Sequence, residues 1–202
     1  MLDLQPATDA LSALVRGVRD DQLGLPTSSP GRTVADLLDH IDGFSIGFAS
    51  AAEKTSLDAA PPRVPRSAEG SRLGDDWRER VPRRLDGLAR AWREDDAWTG
   101  TTRAGGVDLT GTDAGLFALD EVVVHSWDLA TASGQAFTCP TDLLEALFRF
   151  LSVFVAANPN GVPGLFGRPV PVPESAHLLD QVLGLTGRDP AWRAAANSPS
   201  AL

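Results

Sequence analysis

The sequence predicts an all-α protein, an antiparallel helical bundle. Apolar residues recur at steps of three and four through five long stretches and one short one, while strict alternation is weak and confined to a single segment. Clusters of glycine and proline separate the stretches, which gives helices joined by turns rather than one continuous rod. The chain has 202 residues, 43% of them hydrophobic and 22% charged, enough to bury one core without disulfides or other staples.

Leu4, Ala7, Leu11, Leu14, Val15 and Val18 form one face of a first helix over roughly residues 4–23, ended by Gly24 and Pro26. Thr33 caps a second helix, with Asp36 in the capping-box position, and Val34, Leu37, Leu38, Ile41, Phe44 and Phe48 carry its stripe to about residue 53. Residues 54–74 hold Pro61, Pro62, Pro65, Gly70 and Gly74 and read as a long loop. Trp77, Val81, Leu85, Leu88 and Trp92 mark a third helix, in which Pro82 calls for a start near residue 80 or a kink. Residues 98–111 alternate around Gly105-Gly106 and suggest a short hairpin.

The fourth helix is expected from about Thr112 to Ser133, with Gly134 as its stop. A fifth runs from Thr141 to the residue before Asn158. It is apolar nearly all round, which predicts a central position. Residues 159–173 carry five prolines and read as an irregular crossing, followed by a short helix over about 175–186. The division expected is a helical bundle over 1–157 and a C-terminal extension over 158–202 packing on it.

The net charge is −9, whereas a phosphate-binding surface requires clustered Lys and Arg, so nucleic acid is not an expected partner. No run approaches the ~18 consecutive apolar residues of a membrane span, and the N-terminus lacks the basic and apolar regions of a signal peptide. The expectation is a cytoplasmic protein, monomeric or homodimeric. A single cysteine, Cys139, excludes an intramolecular disulfide and a Cys-rich zinc site. It reads as a small apolar residue in a turn. No G-x-S-x-G elbow or P-loop is present.

Three histidines remain. Glu121 and His125 lie four apart on the fourth helix, on one face about a turn apart, a spacing at which a carboxylate and an imidazole can chelate one divalent ion. Asp128 follows His125 by three and is placed to orient it from behind. Ala114 and Ala118 flank the same arc and would leave room for an ion, while Asp113, Asp120 and Thr131 on the neighbouring arc suit a solvated face. His40 borders the apolar stripe of the second helix, as either a hydrogen-bonded core residue or a ligand. Bundles build metal sites from inward Glu and His on facing helices. Three protein ligands with an open fourth position is the pattern of a catalytic rather than a structural zinc site. His177, near the start of the last helix, suits a surface or capping role unless that helix folds over the site.

Three stretches resemble the DinB-like metal-binding superfamily, and within it the actinobacterial group related to mycothiol-dependent maleylpyruvate isomerase. They are Leu25 to His40, Leu119-Asp120-Glu121-Val122-Val123-Val124-His125-Ser126-Trp127-Asp128-Leu129-Ala130, and the tail segments Pro169–Pro173 and Leu185–Pro190. The resemblance implies an up-down-down-up four-helix bundle with long crossing loops and a divalent metal, its ligands falling on His40, Glu121 and His125. Zinc is the first expectation, with nickel, iron or manganese also suited to mixed N/O ligation. The resemblance further implies a low-molecular-weight thiol such as mycothiol as cosubstrate and a small electrophilic substrate, in a transferase or isomerase. A non-catalytic metal-binding or interaction module is the alternative. Arg32, standing where the family turn has Trp, and Trp127 are the candidate substrate contacts.

Overall fold

The computed structural model describes residues 2–55 and 73–194; the expected loop over 54–74 therefore lies mostly outside the described residues. The described residues form six α-helices: α1 (Gln5–Gly17), α2 (Val34–Ala52), α3 (Trp77–Ala91), α4 (Gly111–Ser133), α5 (Thr141–Ala157) and α6 (Leu178–Leu185). A two-stranded hairpin, β1 (Thr101–Ala104) and β2 (Val107–Thr110), precedes α4. Gly105 and Gly106 form its turn with φ of +58° and +83°, the doubly positive pattern of a type I′ hairpin.

The bundle consists of α1 to α4, with α1 and α2 each packed against both α3 and α4. The periodic positions of all four helices meet in one core that includes Leu11, Leu38, Ile41, Leu85, Leu88, Leu119 and Val122, each fully buried. Burying such a side chain contributes roughly 1.5–3 kcal/mol.

Several boundaries follow the sequence, and the departures have local causes. α1 stops at Gly17 rather than near 23. Val18 is extended, and Gln22 then closes a separate 3₁₀ turn, accepting a bond from the Arg19 amide at 2.9 Å and donating to the Ser133 carbonyl at 2.8 Å. α3 begins at Trp77 and runs through Pro82. A proline in the second turn removes one helical hydrogen bond, and the buried Trp77 and Val81 hold the turn in place around it.

The largest correction concerns α5. It does not occupy the centre, which belongs to α4, with 17 of its 23 residues buried. α5 packs outside the bundle on α4 and α6, and its Val153 is 75% exposed. Its apolar circumference divides among several neighbours: Leu143, Leu147 and Leu151 enter the core, while Phe150 and Phe154 pack edge-on against Phe117. α4 ends at Gly134, whose φ of +71° is a left-handed conformation that glycine adopts without strain. α6 meets α4 through a small cluster of Val124, Trp127 and Leu183. No helix among the described residues is long and apolar enough to cross a membrane.

Candidate metal centre

α2 and α4 lie side by side, and their facing surfaces bring together the histidines and the carboxylate that sequence spacing singled out. α2 is fixed at its start by Thr33, whose hydroxyl accepts from the Asp36 amide at 3.3 Å while Asp36 accepts from the Thr33 amide at 2.9 Å. His40 lies one turn beyond Asp36. On α4, Glu121 and His125 are one turn apart. His40 Nε2 and Glu121 Oε2 are 3.0 Å apart, as are His40 Nε2 and His125 Nε2, and His125 Nε2 and Glu121 Oε2. These three are the group among the described residues whose ligand atoms converge tightly enough to hold one metal ion.

The geometry suits a divalent ion. The corners of a triangle with 3.0 Å edges lie about 1.7 Å from its centre, so a point about 2.1 Å from all three atoms, an ordinary zinc–ligand distance, sits just off its plane. Both imidazoles present the same kind of atom, Nε2, and the carboxylate presents one oxygen. Phe44 walls one side: its ring stacks on His125 with centroids 6.0 Å apart and meets His40 edge-on at 5.6 Å. His40 leaves half of its side chain exposed, whereas those of Glu121 and His125 are largely enclosed. The site therefore opens on the His40 side.

Behind the trio, His125 Nδ1 lies 2.8 Å from Asp128 Oδ2. Asp128 is 1% exposed and accepts from two further donors, the Ser28 hydroxyl at Oδ1 and Arg188 Nη2 at Oδ2, the latter at 3.2 Å. Ser28 sits in the loop before α2, which is closed by the Thr27 amide bonding the Arg32 carbonyl at 2.9 Å. Arg188 follows α6.

The charges respond to these contacts. Burial alone would push His125 down, but hydrogen bonds to Asp128 and Glu121, and their charges, outweigh it and raise it to about 9. Burial would push Glu121 up, yet the two imidazoles hold it well below the ordinary carboxylate range. Asp128 resists burial in the same way, held at about 2 by its bond from His125 and by the charge of Arg188. Asp120 behaves oppositely. Burial, reinforced by the neighbouring Glu121 charge, raises it to about 8, and its Oδ1 is buried without a hydrogen-bond partner.

Other expectations map less directly. Ala114 and Ala118 are fully buried within the main core. Asp120, on the arc that suited a solvated face, is 3% exposed. Arg32 lies two residues before α2, half-buried, and Trp127 is 8% exposed in the cluster where α4 meets α6. His177 is exposed at the N-cap position of α6. Cys139 packs at the edge of the core, and burial pushes its thiol up to about 12, so it is protonated at neutral pH. The sequence did not single out Ser28 or Arg188 as partners of Asp128. Their contacts span 100 and 60 residues of chain, and no local periodicity encodes them.

A helical bundle whose second and fourth helices present two histidines and a glutamate to one point defines a class of bundle proteins with a candidate divalent-metal site. Residues 4–130 match the family described as the mycothiol maleylpyruvate isomerase N-terminal domain, and the chain belongs to that family. Two proteins of Mycobacterium tuberculosis, from strains CDC 1551 and H37Rv, are each 29% identical to it over 195 residues, covering 91% of this chain and 94% of their own length; both are named only as uncharacterized proteins. No solved structure matches the chain significantly.

Proposed function

We propose that His40, Glu121 and His125 hold a divalent metal ion, zinc in the first instance and nickel, iron or manganese as alternatives. On this reading the protein is a thiol-dependent transferase or isomerase acting on a small electrophilic substrate. The observation that carries the reading is the mutual 3.0 Å approach of two imidazole nitrogens and one carboxylate oxygen from two helices. The family name supports mycothiol, or another low-molecular-weight thiol, as cosubstrate. Cytoplasmic location accords with such a cosubstrate. The metal-bearing unit is assigned to residues 1–157, the α1–α4 bundle with α5 packed on its outside, and 158–202 to an extension.

A bound divalent ion would supply Lewis acidity, stabilising a coordinated thiol as its thiolate. The protein's own contribution is positional. Asp128 accepts a hydrogen bond from His125 Nδ1–H and so turns Nε2 toward the centre. Phe44 shields one flank from water, and the half-exposed His40 marks the side by which small molecules arrive. Three protein ligands leave coordination positions open, which ligand exchange requires.

The half exposure of His40 also suits the second reading, a non-catalytic metal module completed by a partner's side chain. Cobalt substitution separates the two. A thiolate–cobalt bond gives an intense near-ultraviolet charge-transfer band, expected when mycothiol or a simple thiol is added to the cobalt-loaded protein. His125→Ala is expected to abolish the band, and Cys139→Ser to leave it intact because the thiol comes from outside. A cobalt-loaded wild type that shows no band with any thiol sinks the thiol-transfer reading and favours the module.

A further inference from the structure

The Asp128 carboxylate is held by donors from three separate parts of the chain. Ser28 reaches Oδ1 from the loop before α2, His125 reaches Oδ2 from α4 at 2.8 Å, and Arg188 reaches the same Oδ2 from beyond α6 at 3.2 Å. A carboxylate with one partner can rotate about its Cβ–Cγ bond and release it. This one cannot turn without breaking a bond at each oxygen, and it is 1% exposed, so water cannot readily replace what is lost. Arg188 is itself fixed. Its side chain is 15% exposed, its amide donates to the Leu183 carbonyl at 3.0 Å and its Nη1 to the Thr186 carbonyl at 3.4 Å. Arg188 also lies outside the segment, residues 4–130, that matches the family.

We propose that Ser28 and Arg188 are positioning residues for His125, and that the segment after α6 thereby completes the metal centre without touching the ion. Together they lock the Asp128 carboxylate so that Oδ2 goes on accepting from His125 Nδ1–H and Nε2 faces His40 and Glu121. This rests on the metal reading of the trio. It adds a reciprocal coupling: docking of the Arg188 segment raises metal affinity, and metal binding strengthens the docking by the same factor.

The test is zinc affinity by calorimetric titration of the full chain, with a second readout from the His125 Nδ1 proton in 15N-labelled, zinc-loaded protein. Wild type is expected to show a sharp, slowly exchanging Nδ1–H resonance. Arg188→Gln is expected to weaken zinc binding by about tenfold or more, the range for loss of outer-shell partners, and to broaden that resonance. Ser28→Ala is expected to do so to a lesser degree, and Arg188→Lys, which keeps the charge, to recover part of the loss. Arg193→Gln serves as a control, since Arg193 bonds the Pro190 and Trp192 carbonyls and not Asp128, and it is expected to leave both readouts unchanged. A merely structural tail would respond alike to both arginines and would not move the imidazole resonance selectively. If Arg188→Gln does not fold, Ser28→Ala and Arg188→Lys carry the same comparison. Wild type that binds zinc, with variants within about twofold of it and an unchanged resonance, overturns the clamp alone. Wild type that binds no zinc overturns the metal reading and the clamp together.

Discussion

α2 carries two polar clusters on different faces, and they solve the burial of charge in opposite ways. Toward α3, Asp42 Oδ2 accepts from Arg80 Nε at 3.2 Å and from Arg84 Nη1 at 2.5 Å, and Arg80 also pairs with Asp76 and donates to the Leu73 carbonyl. Toward α4, His40 meets Glu121 and His125 with no arginine or lysine among the converging atoms. The first cluster brings its own cations. The second brings two ring nitrogens and one carboxylate oxygen to a single point; without metal a proton on His125 balances Glu121, and a divalent cation from solution would take that proton's place. That distinction separates a structural ion-pair network from a candidate metal centre, although both are built from the same residue classes on one helix.

The comparison breaks most visibly at Asp42. Asp42→Ala would leave two arginines facing each other between α2 and α3. Breaking such a pair costs about 3–5 kcal/mol, and the lower end is expected because Arg84 is one-third exposed. Urea unfolding should show that loss equally with zinc and with chelator. A loss that vanished on adding zinc would mean that the two clusters are not independent.

Metal removal is expected to act only on the second cluster. An ion that binds the folded state alone adds about 2.7 kcal/mol at a hundredfold excess over its dissociation constant. A chelator should therefore lower the melting temperature of wild type and leave His125→Ala nearly unchanged. Equal responses in the two proteins would count against the site.

Protonation sharpens the contrast in the metal-free protein. His125 is raised from 6.5 to about 9, so its stabilisation is complete below pH 6.5 and is lost as pH rises through 9. Asp120, raised from 3.8 to about 8, has the same sign: the folded state keeps a proton that the unfolded chain releases, so stability falls as pH climbs through that window. Asp128, drawn down from 3.8 to about 2, acts on the acid side; its contribution is present above 3.8 and lost as pH falls toward 2. Unfolding free energy with chelator should therefore decline by a few kcal/mol from pH 6.5 to 9. Asp120→Asn should flatten part of that decline. A stability that rises across the window would contradict the assignment.

The smallest effect is expected at Cys139. Its thiol, pushed up to about 12, is protonated at neutral pH and sits at the core edge. Cys139→Ser should cost less than about 1.5 kcal/mol and leave metal content untouched, as elemental analysis would show.

What was legible in the sequence was what a helix writes at short range. The stripes through Leu37–Leu38–Ile41 and Leu119–Val122 fixed two core faces, and the four-residue step from Glu121 to His125 fixed two candidate ligands on one side of α4. Pairing those with His40 needed the bundle rule rather than local pattern. The position of α5 was not legible, because an apolar circumference reads the same whether a helix is enclosed by four partners or divided among α4, α6 and the crossing chain. The partners of Asp128 were hidden for another reason. Ser28 and Arg188 reach it from irregular segments, one closed by the Thr27–Arg32 contact and the other turned at Gly187 with φ of +83°. Such geometry depends on backbone turns and leaves no periodic trace. Asp120 misled for the converse reason: a charged residue beside a charged arc reads as solvated, yet α4 is buried on nearly every side.

The central claim is that the trio on α2 and α4 is built for a divalent ion that displaces the His125 proton. Metal content decides it. Protein purified without a histidine tag, incubated with excess zinc and passed through gel filtration, is to be analysed by elemental mass spectrometry beside His40→Ala, Glu121→Ala and His125→Ala. The account predicts about one divalent ion per wild-type chain, from three ligands converging on one point, with each variant losing most of it. A folded wild type that retains no more zinc than the three variants would contradict it.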